Sequence, residues 1–273
     1  MLKIIVCLKQ VPMVTELPWD EKTGTLKREL SEGMMNPACK HALEAALRLK
    51  QEHKGHITAI TMGPPMAEEI LREAIAMGVD RCLMLSDRKM TGADTFVTSY
   101  TLARAIEIFC ADFDLILCGC HTSDSETAQV GPQLAEELDI PEIAYAEDVR
   151  IDRRTITVKR LCDNFLETLE MDMPGLITLT TRNYAPRYTP IAGLQDAFDE
   201  PNILVVSADD LGLDEACIGI PGSPTKIMDV YSPTAEKKNI VMQGAPKKIV
   251  EELLERFDDR IGSVIRKDLK KEK

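Results

Sequence analysis

The sequence predicts an α/β protein: a parallel sheet covered by helices, with antiparallel strands added near the end of that domain and an extended C-terminal arm. Three observations carry this. Short apolar runs recur at residues 3–8, 56–61, 81–85 and 114–118. Segments of helical period separate them. From residue 149 the pattern changes to alternating apolar and polar residues divided by turn residues. Strands interleaved with helices give a parallel sheet buried on both faces, whereas alternation of period two gives antiparallel strands with one wet face.

Taken in order, KIIVCL at residues 3–8 reads as a buried strand. The stretch DEKTGTLKR follows, with Thr23-Gly24 as the turn of a hairpin within residues 16–28. Ala42, Leu43, Ala46, Leu47 and Leu49 mark one face of the first helix; Ile70, Leu71, Ala74 and Ile75 mark the second, with Gly78 as its stop. Asp94 and Thr95 cap a third helix running to about residue 108, and a fourth begins within CGCHTSDSETAQVGPQLAEEL at residues 118–138. VRIDRRTITVKR, FLETLEMDM and GLITLTT then read as antiparallel strands. After Arg182 Pro and Gly are frequent and periodicity is lost until an amphipathic helix at residues 246–257. Such an arm cannot bury much of itself and is expected to lie on a partner. The division is therefore a domain at 1–182, an arm at 183–245, and a helix with a basic tail at 246–273, the tail read as a solvated, frayed end.

Composition narrows the function. With 273 residues and 44% hydrophobic content a sizeable core is available. No run approaches the roughly 18–20 apolar residues of a membrane span, and the first nine residues do not form a secretory signal, so no membrane insertion and a cytoplasmic address are expected. A net charge of −12 argues against a nucleic-acid partner. The cysteines, Cys7, Cys39, Cys82, Cys110, Cys118, Cys120, Cys162 and Cys217, form no Cys-x-x-Cys pair. They read as reduced, mostly buried thiols, not as a disulfide frame, a zinc site or an iron–sulfur cluster.

In a parallel sheet, ligands bind at the carboxyl ends of the strands where strand order reverses. Four junctions qualify: residues 7–11, 35–39, 62–65 and 119–132. The last is rich in small polar residues. Glycine and hydroxyls let main-chain N–H groups approach an anion at a helix start, and Ser125, Thr127 and Gln129 can add side-chain hydrogen bonds. Asp124 and Glu126 work against an anion and must cap the backbone, touch a ribose hydroxyl or face water. A well-capped helix after a buried strand is an equally good reading of the residues alone. Neither G-x-x-x-x-G-K-[ST] nor G-x-G-x-x-G occurs. His53 and His56 lie in a polar turn, where exposure is expected, and no histidine spacing suggests a metal. His121 reads as a hydrogen-bonding wall. Of Cys118 and Cys120, one is expected in the core and the other toward the cleft, with no basic neighbour to make a nucleophile. Catalytic residues of a self-contained enzyme are therefore not expected; a nucleotide-holding protein is.

Several strings together resemble the β subunit of electron transfer flavoproteins: KIIVCLKQVP, MNPACKHALEAALRLK, TMGPP, EAIAMGVDR, DLILCG followed by DSETAQVGPQLAEEL, LETLEMDMPGLITL, and PRY at residues 186–188. The resemblance runs in order from residue 3 to about 213. It implies an adenine nucleotide α-hydrolase-like domain and an α-subunit partner carrying a redox FAD. It also implies a second adenine nucleotide held by Cys7, by Asn36, Pro37, Ala38 and Cys39, by Met62, and by the loop Gly119, Cys120, His121, Thr122, Ser123, Asp124, Ser125, Glu126, Thr127, Ala128, Gln129 and Val130. In ordinary members that nucleotide is structural AMP; in electron-bifurcating members it is FAD, which NADH can reach. Residues 127–132 resemble the FAD-holding version and Cys39 the AMP version; FAD is favoured.

Residues 179–201 match the family's recognition loop, with Ile191 at the apolar position that anchors a flavin-dependent dehydrogenase. Where many relatives carry lysines after the anchor, this chain has LQDAFDEP. Opposite rim charge selects a different partner surface. A partner other than a typical acyl-CoA dehydrogenase is expected, such as an FAD-linked hydroxyacid dehydrogenase. The rival from another class is a stand-alone ATP-binding regulatory protein of the universal-stress type, which would be colourless and need no α subunit.

Overall fold

The four apolar runs become the centre of one sheet. The computed structural model describes residues 1–13, 19–20, 25–26, 32–199, 201–226, 228 and 240–258. Strand β1 (Lys3–Cys7) is followed by β2 (Gln10–Pro12), by the two-residue strands β3 (Trp19–Asp20) and β4 (Thr25–Leu26), and by β5 (Gly33–Met35). β3 pairs antiparallel with β4, as a hairpin requires, and β5 returns antiparallel to β2. The Thr23-Gly24 turn itself lies outside the described residues, as does the basic tail. Helix α1 (Pro37–His53) leads to β6 (His56–Met62), α2 (Glu68–Met77) to β7 (Arg81–Leu85), α3 (Thr95–Phe109) to β8 (Leu115–Gly119) and α4 (Val130–Glu137) to β9 (Glu142–Asp152). Next come β10 (Thr155–Cys162), β11 (Phe165–Asp172), β12 (Gly175–Leu179), α5 (Ile191–Asp199), β13 (Ile203–Val206) and the single turn α6 (Gly219–Gly222).

Residues Met1–Asp229 form one compact unit; Val230–Lys273 form another, which contains the amphipathic helix α7 (Pro246–Phe257). Among the described residues no helix is long and apolar enough to cross a membrane.

The nine-stranded sheet runs β11-β10-β9-β12-β8-β1-β6-β7-β13. β1 is parallel to both β6 and β8. The chain builds outward from β1 through β6 to β7, then crosses to β8 on the other side of β1, so strand order reverses between β1 and β8. Two apolar layers flank the sheet, and the alternation of side chains along β1 feeds both: Ile4 and Val6 join the layer containing Leu43, Leu47 and Leu71, while Ile5 joins the one containing Leu102, Ile106 and Leu134. Helix ends follow the residues expected to set them. Gly78 closes α2 at φ 118°, and the Asp94 carboxylate accepts from Val97 N at 3.0 Å to start α3.

Four expectations are corrected. GLITLTT is not an antiparallel addition: β12 is parallel to β8 and β9 and lies between them, with all five residues buried. The antiparallel portion is β9–β10–β11, and its first strand starts at Glu142, ahead of residue 149. The segment after Arg182 is not without regular structure, since α5 packs on α2 and β13 adds parallel to β7 as an edge strand. His53 and His56 are also half-buried rather than exposed.

Candidate functional site

At the switch point, Cys7 and Cys118 are register partners at the ends of β1 and β8. Gly119 comes next, against the first turn of α1. A Cβ there would lie 2.7 Å from the Ala38 carbonyl carbon and 2.8 Å from Cys39 N, so glycine is what lets the end of β8 approach the start of α1. Pro37 occupies the first turn of α1, where its missing N–H costs nothing.

Asn36, only 1% exposed, ties three junctions together. Its main-chain N–H donates to Lys9 O at 2.9 Å. Its Nδ2 donates to His121 O at 2.9 Å and to Cys39 Sγ at 3.3 Å, and its Oδ1 accepts from Ser123 N at 3.0 Å. The side chain makes no cap for its own helix. It reaches instead to the loop after β8, so the start of α1 and that loop hold each other in place.

The loop then runs over the surface. Cys120 N donates to Leu179 O at 2.9 Å, and Cys120 Sγ lies 3.1 Å from His121 Nδ1. Thr122 Oγ1 and Ser125 Oγ are 2.8 Å apart, and Glu126 N donates to Thr122 O at 2.9 Å. Glu126 and Ala128 adopt left-handed backbone at φ 51° and 56°, which costs a non-glycine residue on the order of 1–2 kcal/mol. Ser123, Ser125, Glu126, Thr127 and Gln129 are exposed; His121, Thr122, Asp124, Ala128 and Val130 are half-buried. Helix α4 begins without a side-chain cap, because the Gln129 carboxamide accepts from Thr95 Oγ1 at 2.9 Å. A helix start carrying partial positive charge is thus open to an anionic group. Gly131 seats α4 on β12, since a Cβ there would lie 2.5 Å from Thr178 Cγ2.

Charge at the mouth is arranged differently from the sequence expectation. Asp124, with 8% of its side chain exposed, accepts from Lys9 Nζ at 2.8 Å, so the carboxylate that argued against an anion is neutralised. Glu126 faces water. Lys9 lies within the first junction but was not singled out there; its role depends on how far β8 runs beside β1, which residue identity does not show. Thr95 and Thr178 were likewise legible only once α3, α4 and β12 were placed.

Burial pushes Cys39 and Cys120 above the ordinary thiol value, and the hydrogen bond with Cys7, with burial adding to it, holds Cys118 well above it. Cys118 and Cys120 are both 5% exposed; Cys118 packs in the second apolar layer, whereas Cys120 belongs to neither layer. Met62, at the end of β6, is half-buried against the second apolar layer. Among the described residues no group of His, Cys, Asp or Glu could hold a metal ion. A groove of about 500 Å³ lies between the C-terminal half of α1 and β9, lined by Arg48, His53, Asp148 and Tyr184. Ile191 is not part of the mouth: it opens α5 and is 87% exposed.

Comparison with known proteins gives this arrangement a family. Residues 23–211 match the model of the electron transfer flavoprotein domain. Over 259 residues the chain is 40% identical to the electron transfer flavoprotein subunit beta of Thermoanaerobacterium thermosaccharolyticum, covering 95% of this chain and 99% of that one. It is 41% identical over 236 residues to the caffeyl-CoA reductase-Etf complex subunit CarD of Acetobacterium woodii, covering 86% and 89%. It is 36% identical over 261 residues to the acryloyl-CoA reductase electron transfer subunit gamma of Anaerotignum propionicum, covering 94% and 98%. The chain belongs to the electron transfer flavoprotein family.

Proposed function

We propose that the chain performs its electron-transfer role as the β subunit of a heterodimer with an electron transfer flavoprotein α subunit, holding an adenine nucleotide at the β1/β8 switch point. The observation that carries this is Asn36, a buried carboxamide spent on joining the start of α1 to the loop after β8. The residues fit the group. Gly119 keeps the junction narrow, the α4 start is uncapped, and Ser125, Thr127 and Gln129 stand exposed beside it as donors for phosphate and ribose oxygens. Asn36 to Cys39, Cys7, Met62 and residues 119–130 form the walls.

FAD is the nucleotide favoured, on the likeness of residues 127–132 to the FAD-holding form, with NADH as its electron donor. When bound, the flavin supplies reversible electron transfer. The chain's residues fix its adenylate end and leave the redox chemistry to it. AMP is the second reading, favoured by Cys39, whose Sγ accepts from Asn36 as part of the mouth. Acid extraction and chromatography of the purified αβ complex separates the two: two FAD and no AMP per pair is expected, and one of each reverses the choice. A colourless chain that purifies alone with ATP would point to the universal-stress reading.

For docking, Ile191 is the anchor. Exposed Asp196 and Asp199 on the same helix favour a partner with a basic rim, such as an FAD-linked hydroxyacid dehydrogenase. Two relatives bear the names of CoA-ester reductases, so an acyl-CoA dehydrogenase is the comparison arm. Tighter binding of the acyl-CoA enzyme would overturn the charge argument.

A further inference from the structure

Glu44 sits in the middle of α1, 4% exposed, among the buried residues Ala42, Leu43, Ala45 and Ala46. A carboxylate there must be paired, and an apolar residue of similar size would serve stability as well or better. Its partner is 143 positions away. Glu44 Oε2 accepts from Arg187 Nε at 2.8 Å and from Arg187 main-chain N at 3.3 Å; Oε1 accepts from Arg187 Nη2 at 3.1 Å and from Arg48 Nε at 3.0 Å. This is a two-pronged guanidinium–carboxylate grip reinforced by the peptide N–H, the geometry that arginine provides and lysine does not.

The residues just before Arg187 are pinned as well. Arg48 stacks over the Tyr184 ring at 5.4 Å, and Tyr184 Oη accepts from Val149 N at 2.8 Å. Asn183 O lies 2.5 Å from His41 Nδ1, and Asn183 Nδ2 donates to Glu147 O at 2.8 Å. One residue later the contrast is complete: Tyr188 is 98% exposed and Ile191 87%. Beyond them the chain is fixed again. A Cβ at Gly193 would overlap the Ala76 carbonyl oxygen, Ala197 is fully buried, and Arg72 Nη1 donates to Ala197 O at 2.8 Å. Tyr188, Ile191, Leu194 and Phe198 thus form an exposed apolar ridge on a segment held before it at Arg187 and from beneath along α5.

We infer that Glu44 is a positioning residue for docking: by gripping Arg187 it fixes the chain immediately before Tyr188 and Ile191, so that the ridge meets its partner already ordered. A docking element ordered beforehand loses less conformational freedom on association. The inference rests on the docking reading of Ile191.

The test uses the full chain in its purified complex with the α subunit. Glu44→Gln removes the charge, and Glu44→Leu/Arg187→Leu removes both charges without leaving one buried and unpaired, which guards against a variant that fails to fold. Hydrogen exchange of the amides at residues 184–194 is expected to rise at least about tenfold in both, with the β1 and β8 amides unchanged. With a purified FAD-dependent 2-hydroxyacid dehydrogenase or an acyl-CoA dehydrogenase as partner, KM is expected to rise about tenfold while kcat stays within about twofold, the split that separates positioning from damage to the electron path. Wild-type exchange at residues 184–194 in the double variant overturns the inference without reference to any partner. Ile191→Ala distinguishes the two readings. If it leaves KM unchanged, the docking reading fails on its own; if it raises KM while the Glu44 variants do not, the clamp fails and docking stands.

Discussion

The switch-point mouth and the docking segment both lean on α1, yet they are built in opposite ways. At the mouth polar groups turn inward: Asn36 is 1% exposed and spends its carboxamide on the protein's own backbone. At the docking segment apolar groups turn outward, with Tyr188 98% and Ile191 87% exposed, and the polar grip lies underneath in Glu44 and Arg187. A small ligand needs donors aimed in advance within a narrow cleft, whereas a protein partner needs apolar surface held still. One helix serves both because its first turn and its middle face different neighbours.

The largest way to break that contrast is Gly119→Ala. The new Cβ has backbone, not a flexible side chain, at 2.7 Å, so α1 and β8 must separate. A loss of about 3 kcal/mol in urea unfolding and loss of acid-extractable nucleotide are expected, with docking affected only through stability. Asn36→Ala comes next. It leaves His121 O and Ser123 N without their partner, and about 2 kcal/mol of stability should go together with most of the bound nucleotide. Gly193→Ala acts only on the other region: α5 must lift from α2, raising exchange across residues 191–199 while nucleotide content stays at the wild-type level.

Acid sharpens the comparison further. Burial alone would raise the Glu44 carboxyl, but hydrogen bonds from Arg187 and Arg48 outweigh it and hold it below its ordinary value of 4.5. The clamp's contribution is therefore fully present above pH 4.5 and lost as pH falls through the lowered folded value. Below pH 4.5 the wild type should lose stability against Glu44→Leu/Arg187→Leu in parallel urea titrations. The smallest effect is expected for Lys9→Met, because the lysine of the Lys9–Asp124 pair is 37% exposed and water can replace much of the lost pairing. Weaker nucleotide retention with little change in unfolding would confirm that Lys9 acts at the mouth.

Much of this was legible in the residues. The four apolar runs fixed the parallel strands, and the small polar stretch after Cys118 marked the mouth. What failed has physical causes. β12 follows three alternating runs and alternates weakly itself, yet strand direction is not written in side-chain type; only its pairing with β8 makes it parallel. Helix α5 was missed because the residues it sets against α2 are the small Gly193 and Ala197 while Ile191 and Phe198 face water, which inverts the pattern by which a surface helix is recognised. β13 is four residues between Pro201 and Ser207, too short for a period to show. Lys9 and Glu44 were invisible because their roles are partnerships across 115 and 143 positions.

The most direct measurement is an experimental structure of the purified αβ complex. The account predicts an adenine nucleotide in the mouth bounded by Cys7, Asn36 and residues 119–130, its phosphate on the main-chain N–H groups that open α4. A mouth closed on its own side chains, with the Lys9–Asp124 pair intact and every nucleotide bound elsewhere, would contradict it.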